Sequence, residues 1–245
     1  RNKRSIVLDL KDASDRETAR RLVRSADVVI ENFRPGVMDR LGLGAEAMTS
    51  ANPRLIYCSL PGFGRDDPRA QVRAREGVVG AATGAYRVTR ASGGLPVYTV
   101  VPYGSTYAAF LCAVSVAMAL NARERSALGQ RVEVPLFDAT FTVVGARGLL
   151  VNGKPEPEAA FNWSRQLPCK DGRWLMYVAN NKKFEAFLKA SGMDRWRDAG
   201  LSPEELGARF DAVMRTRTAR EWEEAIAGIG SEGVICHSSA EWLEH

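Results

Sequence analysis

The chain has 245 residues, 45% of them apolar and 26% charged, with 22 Gly and 11 Pro. That is the length of one large domain or one and a half, and the near-average composition excludes a disordered tail, a collagen-like fibre and a small disulfide scaffold. Lys and Arg outnumber Asp and Glu by 34 to 29, a formal net charge of +5, but the signs are interleaved, as at Arg123, Glu124 and Arg125, so no basic stripe points to nucleic acid.

Residues 5–10 (SIVLDL) predict a first strand, and Ser14 with Glu17 has the spacing of a capping box. Ala19, Leu22, Val23 and Ala26 continue from it on one helical face. Residues 27–31 (DVVIE) predict a second strand, residues 32–36 (NFRPG) a loop broken by Pro and Gly, and residues 55–60 (LIYCSL) a third strand closed by Pro61 and Gly62. This alternation is that of a parallel α/β sheet. Residues 65–104 read as less regular, with glycine-rich stretches at 77–84 and 93–94. Residues 106–122 are uncharged, fall one residue short of the ~18 that suggest a membrane span, and read as a core helix apolar all round. A strand at 131–134 (RVEV) and a helix from Leu136 follow.

Residues 151–166 shift to Asn, Gly, Pro and Glu and mark a linker between domains at 1–150 and 167–245. Beyond it stand a hairpin around Asp171 and Gly172, helix starts at Ser202 and Thr218, and a late strand at 233–236 (GVIC). The expected fold class is therefore α/β: a Rossmann-like large domain on a parallel sheet, then a smaller α+β domain. The chain opens on Arg1 and stops inside a predicted helix at 239–245, so a piece lacking both termini is expected.

Ligands of a parallel α/β sheet bind beyond the carboxyl ends of its strands, here the loops after Leu10, Glu31 and Leu60. No GxGxxG or GxxxxGK[ST] fingerprint is present. Lys11, Arg34, Arg40, Arg73 and Arg75 can meet phosphates as point charges or forks, although any one alone reads as a surface charge. Cys58, Cys112, Cys169 and Cys236 form no CxxC pair, which argues for a reducing, cytoplasmic setting and against zinc or disulfides. No signal peptide precedes the first predicted strand, and no membrane association is expected. With only His237 and His245 and no GxSxG, a hydrolase triad or a metal site has no support. Acids are plentiful, but none stands out as a catalytic carboxylate pair.

NKRSIVLDLK at 2–11, ADVVIENFRPGVMDRLGLG at 26–44, NPRLIYCSLPGFG at 52–64, GQRVEV at 129–134 and FDA at 137–139 together resemble the class III CoA-transferases, the CaiB/BaiF family that includes formyl-CoA and carnitine CoA-transferases. The resemblance runs over nearly the whole chain and is densest up to Asp138. It implies CoA or acyl-CoA as substrate, with no permanently bound cofactor and no metal. It also implies a small carboxylic acid as second substrate and an interlocked dimer, as a homodimer or with an unlike family member. Carried over by position, the CoA-contacting residues are Leu8, Asp9, Leu10, Lys11, Asn32, Phe33, Arg34, Arg40, Arg73, Ala74 and Arg75. The basic balance then needs no nucleic acid.

In the family an Asp at the N-terminus of the core helix attacks the thioester. Here that position holds Ser105, with no adjacent base expected and a helix N-cap as its plain structural role. Glu76 falls at a family acidic position. Arg75 falls where the racemase branch needs a His, so racemisation is not implied. The resemblance implies CoA transfer between an acyl-CoA and a carboxylic acid, with this chain as the non-nucleophilic member of a heteromer. A silent acyl-CoA-binding pseudoenzyme is the alternative, and an anion- or RNA-binding domain that kept only the fold is a distant third.

Overall fold

The computed structural model describes residues 2–86, 96–144, 150–151, 154–155, 164–179, 183–195 and 200–243. The chain divides into two compact units, 1–156 and 157–245. Most of the linker expected at 151–166 lies outside the described residues.

The first unit runs α1 (Ala13–Arg24), β1 (Val28–Glu31), α2 (Val37–Arg40), α3 (Ala45–Ala51), β2 (Ile56–Ser59), α4 (Glu76–Ala82), α5 (Tyr103–Ser126), β3 (Arg131–Glu133), α6 (Leu136–Val144), β4 (Leu150–Val151) and β5 (Lys154–Pro155). Strands β1, β2 and β3 make a parallel sheet in that order, with Ile30 opposite Cys58 and Cys58 opposite Val132. All four residues of β2 are buried, as expected of a central parallel strand covered on both faces. Alternation along β2 sends Tyr57 and Cys58 to opposite faces. Tyr57 joins Leu43, Ala45, Met48 and Leu55 under Ala19 and Val23 of α1, and Cys58 joins Cys112 of α5 and Val134.

Four expectations are corrected in this unit. Residues 5–10 form no strand: Ile6 is 61% and Val7 93% exposed, because among the described residues no neighbouring strand takes up the ladder bonds of this run. Helix α1 is capped by Asp12, which accepts from the Ser14 and Asp15 amides, so Ser14 lies inside the helix. Helix α5 is not buried all round, since it lies on the sheet through Ala108, Cys112 and Ala119 and leaves Phe110 and Met118 exposed. It is long and apolar enough to cross a membrane by length and composition alone. The glycine-rich stretch is also more regular than predicted, with α4 running through it.

The second unit carries an antiparallel sheet of β6 (Arg165–Pro168), β7 (Trp174–Val178) and β8 (Glu232–Ile235), with α7 (Phe184–Ala190), α8 (Pro203–Met214), α9 (Ala219–Gly228) and α10 (Ser239–Leu243). The predicted hairpin pairs Leu167 with Leu175, and the late strand adds alongside as β8. Ser202 and Thr218 each close a full capping box, on Glu205 and Glu221. Tyr177, Phe187, Phe210, Trp222 and Ile226 fill this unit's core.

Candidate functional site

The carboxyl ends of the three parallel strands open on a shallow cleft lined among others by Glu31, Phe33, Arg34, Met38, Asp39 and Tyr57. Its walls are tied together by polar contacts. The Glu31 carboxylate accepts from the Phe33 amide at 2.7 Å and turns the chain sharply after β1. Glu133, at the end of β3, accepts from the Arg65 amide at 2.8 Å and from the Arg131 guanidinium at 2.6 Å. The Tyr57 hydroxyl donates to the Leu43 carbonyl, and burial drives its pKa far above the usual phenol range.

The sequence-predicted CoA residues are placed unevenly about this edge. Phe33 and Arg34 line the cleft and Asn32 stands exposed beside them. Arg34 donates to the Gln71 carbonyl at 2.9 Å, and Gln71 donates to the Pro35 carbonyl at 3.2 Å, so the segment that leads to Arg73, Ala74 and Arg75 docks on the loop after β1. Arg40, at the end of α2, folds its guanidinium back over Gly36. Leu10 packs on the same core cluster as Met38 and Leu41, and Lys11 beside it is exposed. Asp9 is turned onto its own chain, accepting from the Lys11 amide at 2.9 Å, and Leu8 is half-buried. Arg73 and Arg75 are exposed, whereas Ala74 packs closely on Gly62 of the loop after β2.

Residue types alone do not reveal the brace under this segment. Arg69 lies 4.4 Å from the ring centroids of both Phe63 and Phe137. It also grips Asp67 through two side-chain bonds at 2.9 and 2.8 Å, and this holds the Asp67 carboxyl below its usual range. The brace joins the loop after β2 to α6 and to the chain leading into α4.

At the far end of that chain, Glu76 opens α4 and meets the N-terminus of α5. Its carboxylate accepts from the Gly104 amide at 2.9 Å, from the Ser105 amide at 2.8 Å, and from the Ser105 hydroxyl. Two expectations change here. Ser105 is not the N-cap: α5 begins at Tyr103 after Pro102, and the cap is supplied by Glu76 from another element. The Ser105 hydroxyl also has an adjacent carboxylate, where no base was expected. That carboxylate is committed to two backbone amides as well, and so acts first as a structural anion at the helix dipole. Gly104 is required because an added Cβ would stand 2.3 Å from Thr140 Oγ1.

A parallel sheet with basic loops beyond its carboxyl edge, joined through a braced segment to the start of a long helix, defines an α/β protein whose ligand edge lies beyond the strand ends. The family model for CoA-transferase family III matches residues 1–244, and the chain belongs to that family. It is 44% identical over 145 residues to the acetyl-CoA:oxalate CoA-transferase of Acetobacter aceti, covering 57% of this chain and 36% of that one. An acyl-CoA transferase of Fusarium pseudograminearum is 37% identical over 241 residues, covering 91% of this chain and 52% of the relative. The chain thus spans about half or less of the length of these curated relatives. Among solved structures, a CaiB/BaiF family protein from Brucella suis superposes with a TM-score of 0.80 at 26% identity, covering 99% of this chain and 68% of that one. Rv3272 from Mycobacterium tuberculosis superposes with a TM-score of 0.84 at 25% identity, covering 100% and 70%.

Proposed function

We propose that this chain binds a CoA thioester along the loops after β1 and β2 and takes part in exchanging CoA between an acyl-CoA and a small carboxylic acid, without supplying the nucleophile. The observation that carries this is the start of α5, where Ser105 offers a hydroxyl and Glu76 already holds the neighbouring amides. Exchange through the enzyme needs a carboxylate. Its oxygen attacks the thioester carbonyl to give an anhydride and CoA thiolate, and the thiolate then attacks the enzyme's own carbonyl, releasing the first acid and leaving an enzyme–CoA thioester. A serine ester has no second carbonyl on which CoA can be stored. An unlike family member carrying Asp at the matching position would complete the exchange, in the reducing cytoplasm that four free thiols support.

Lys11, Arg40, Arg73 and Arg75 supply positive charge for the phosphates, and Phe33, 42% exposed, offers a face for the adenine. A second reading, a holder of acyl-CoA without turnover, is favoured by the commitment of both Glu76 oxygens to hydrogen bonds. Calorimetry on the complete protein tests the shared core of both. CoA binds, and Arg40→Ala weakens it by about 1–3 kcal/mol, the worth of a charged hydrogen bond. Absence of CoA binding to the complete protein contradicts both readings.

A further inference from the structure

Beside the Glu76–Ser105 pair lies a surface that the CoA-binding loops do not use. Helix α4 presents Gly77 and Gly80 three residues apart, on one face. A Cβ on Gly80 would stand 2.6 Å from the Tyr86 hydroxyl, and one on Gly77 would stand 3.6 Å from the Tyr98 ring. The missing side chain at Gly80 lets Tyr86 settle onto α4, and the Tyr98 ring reaches Gly77, next to Glu76, at ordinary contact distance. Their rings meet edge to face, with centroids 5.2 Å apart and planes at 65°. Tyr103 is the first residue of α5, preceding the Gly104 amide that donates to Glu76. The phenols of Tyr86 and Tyr103 are both raised above their ordinary value, by burial first and by the charge of Glu76 among the further causes. Tyr98 is 59% and Val101 60% exposed, so the outer faces of this wall are not spent on the core.

We infer that the acyl group carried to the start of α5 has an aromatic body rather than a second carboxylate, and that Tyr98 is a specificity-determining residue for it. This rests on the function proposed above and names its substrate class. An aromatic acyl group gains by stacking on exposed tyrosine and valine surface. The second carboxylate of a diacid would have to leave water for that same surface while facing the negative charge of Glu76, and both effects oppose it.

Calorimetry with the complete protein and four probes (free CoA, acetyl-CoA, succinyl-CoA and phenylacetyl-CoA) tests this. Phenylacetyl-CoA binds at least about tenfold more tightly than acetyl-CoA, and succinyl-CoA no more tightly than acetyl-CoA. Tyr98→Ala removes the advantage of the aromatic thioester and Tyr98→Phe keeps it. Succinyl-CoA binding as tightly as phenylacetyl-CoA, or an aromatic advantage that survives Tyr98→Ala, overturns the inference. Equal binding of all four probes overturns the inference and leaves the proposed function standing. Binding of none removes both.

Discussion

Replacing Glu76 by Ala takes away one carboxylate and three hydrogen bonds at the start of α5. The three losses are unequal. Gly104 is buried, so its amide loses its partner without gaining water, at a cost of about 1–3 kcal/mol. Ser105 is exposed, and its amide and hydroxyl rehydrate. Losing the negative charge at the helix N-terminus adds about 0.3–1 kcal/mol. The sum is about 1.3–4 kcal/mol, or about 3–16 °C in Tm for a chain of this size. Glu76→Gln keeps one acceptor and costs about half as much. Urea unfolding followed by circular dichroism reads these values, and the double variant with Ser105→Ala isolates the hydroxyl contact as a coupling of about 0.5–1.5 kcal/mol. A cost for Glu76→Ala below about 0.5 kcal/mol, in the range of ordinary surface substitutions, refutes the argument that this carboxylate caps α5.

Other outcomes follow from single contacts. In an Arg40→Ala titration, CoA affinity falls by about fivefold to 150-fold, and the loss shrinks as salt screens the phosphate contact; an unchanged affinity removes Arg40 from the CoA site. The Glu221 carboxyl sits below its ordinary pKa because the Thr218 amide and hydroxyl bond it. Its stabilisation is therefore present above the unfolded carboxylate value of about 4.3 and is lost as pH falls through the lower folded value. Wild type and Glu221→Gln differ in urea midpoint at pH 6 and the gap shrinks steadily as pH is lowered below the unfolded carboxylate value, and a gap independent of pH contradicts this origin. Ser105→Asp sets a second carboxylate against Glu76. At 4 Å this repulsion is worth about 1 kcal/mol in water and about 4 kcal/mol at a protein-like dielectric, so the variant melts below wild type and Ser105→Asn stays closer to it.

The central sheet was readable because β1 and β2 carry short apolar runs bounded by turn residues; burial follows that signal fully only at β2, while β1 leaves Ile30 exposed and the charged β3 (RVE) is only partly buried. Residues 5–10 carry the same signal and form no strand, since an apolar run specifies a strand only where a neighbour accepts its backbone bonds. The glycine-rich run concealed α4 because the reason for Gly80 lies elsewhere in the chain, in the approach of Tyr86. The same holds for the site. The basic residues near α2 could be named from their types and the family pattern, whereas the contact of Glu76 with Ser105 spans 29 positions and the Arg69 brace joins three separate segments. Such contacts leave no local periodicity to read.

Intact-mass spectrometry after incubation with an acyl-CoA is the most direct test of a CoA-binding chain without its own nucleophile. Wild-type protein, incubated alone, stays at its own mass and exchanges no CoA into an added acid. Ser105→Asp gains the mass of a covalent CoA thioester and recovers some exchange. A covalent CoA adduct, or exchange at full rate, on the unmodified protein alone would contradict the account.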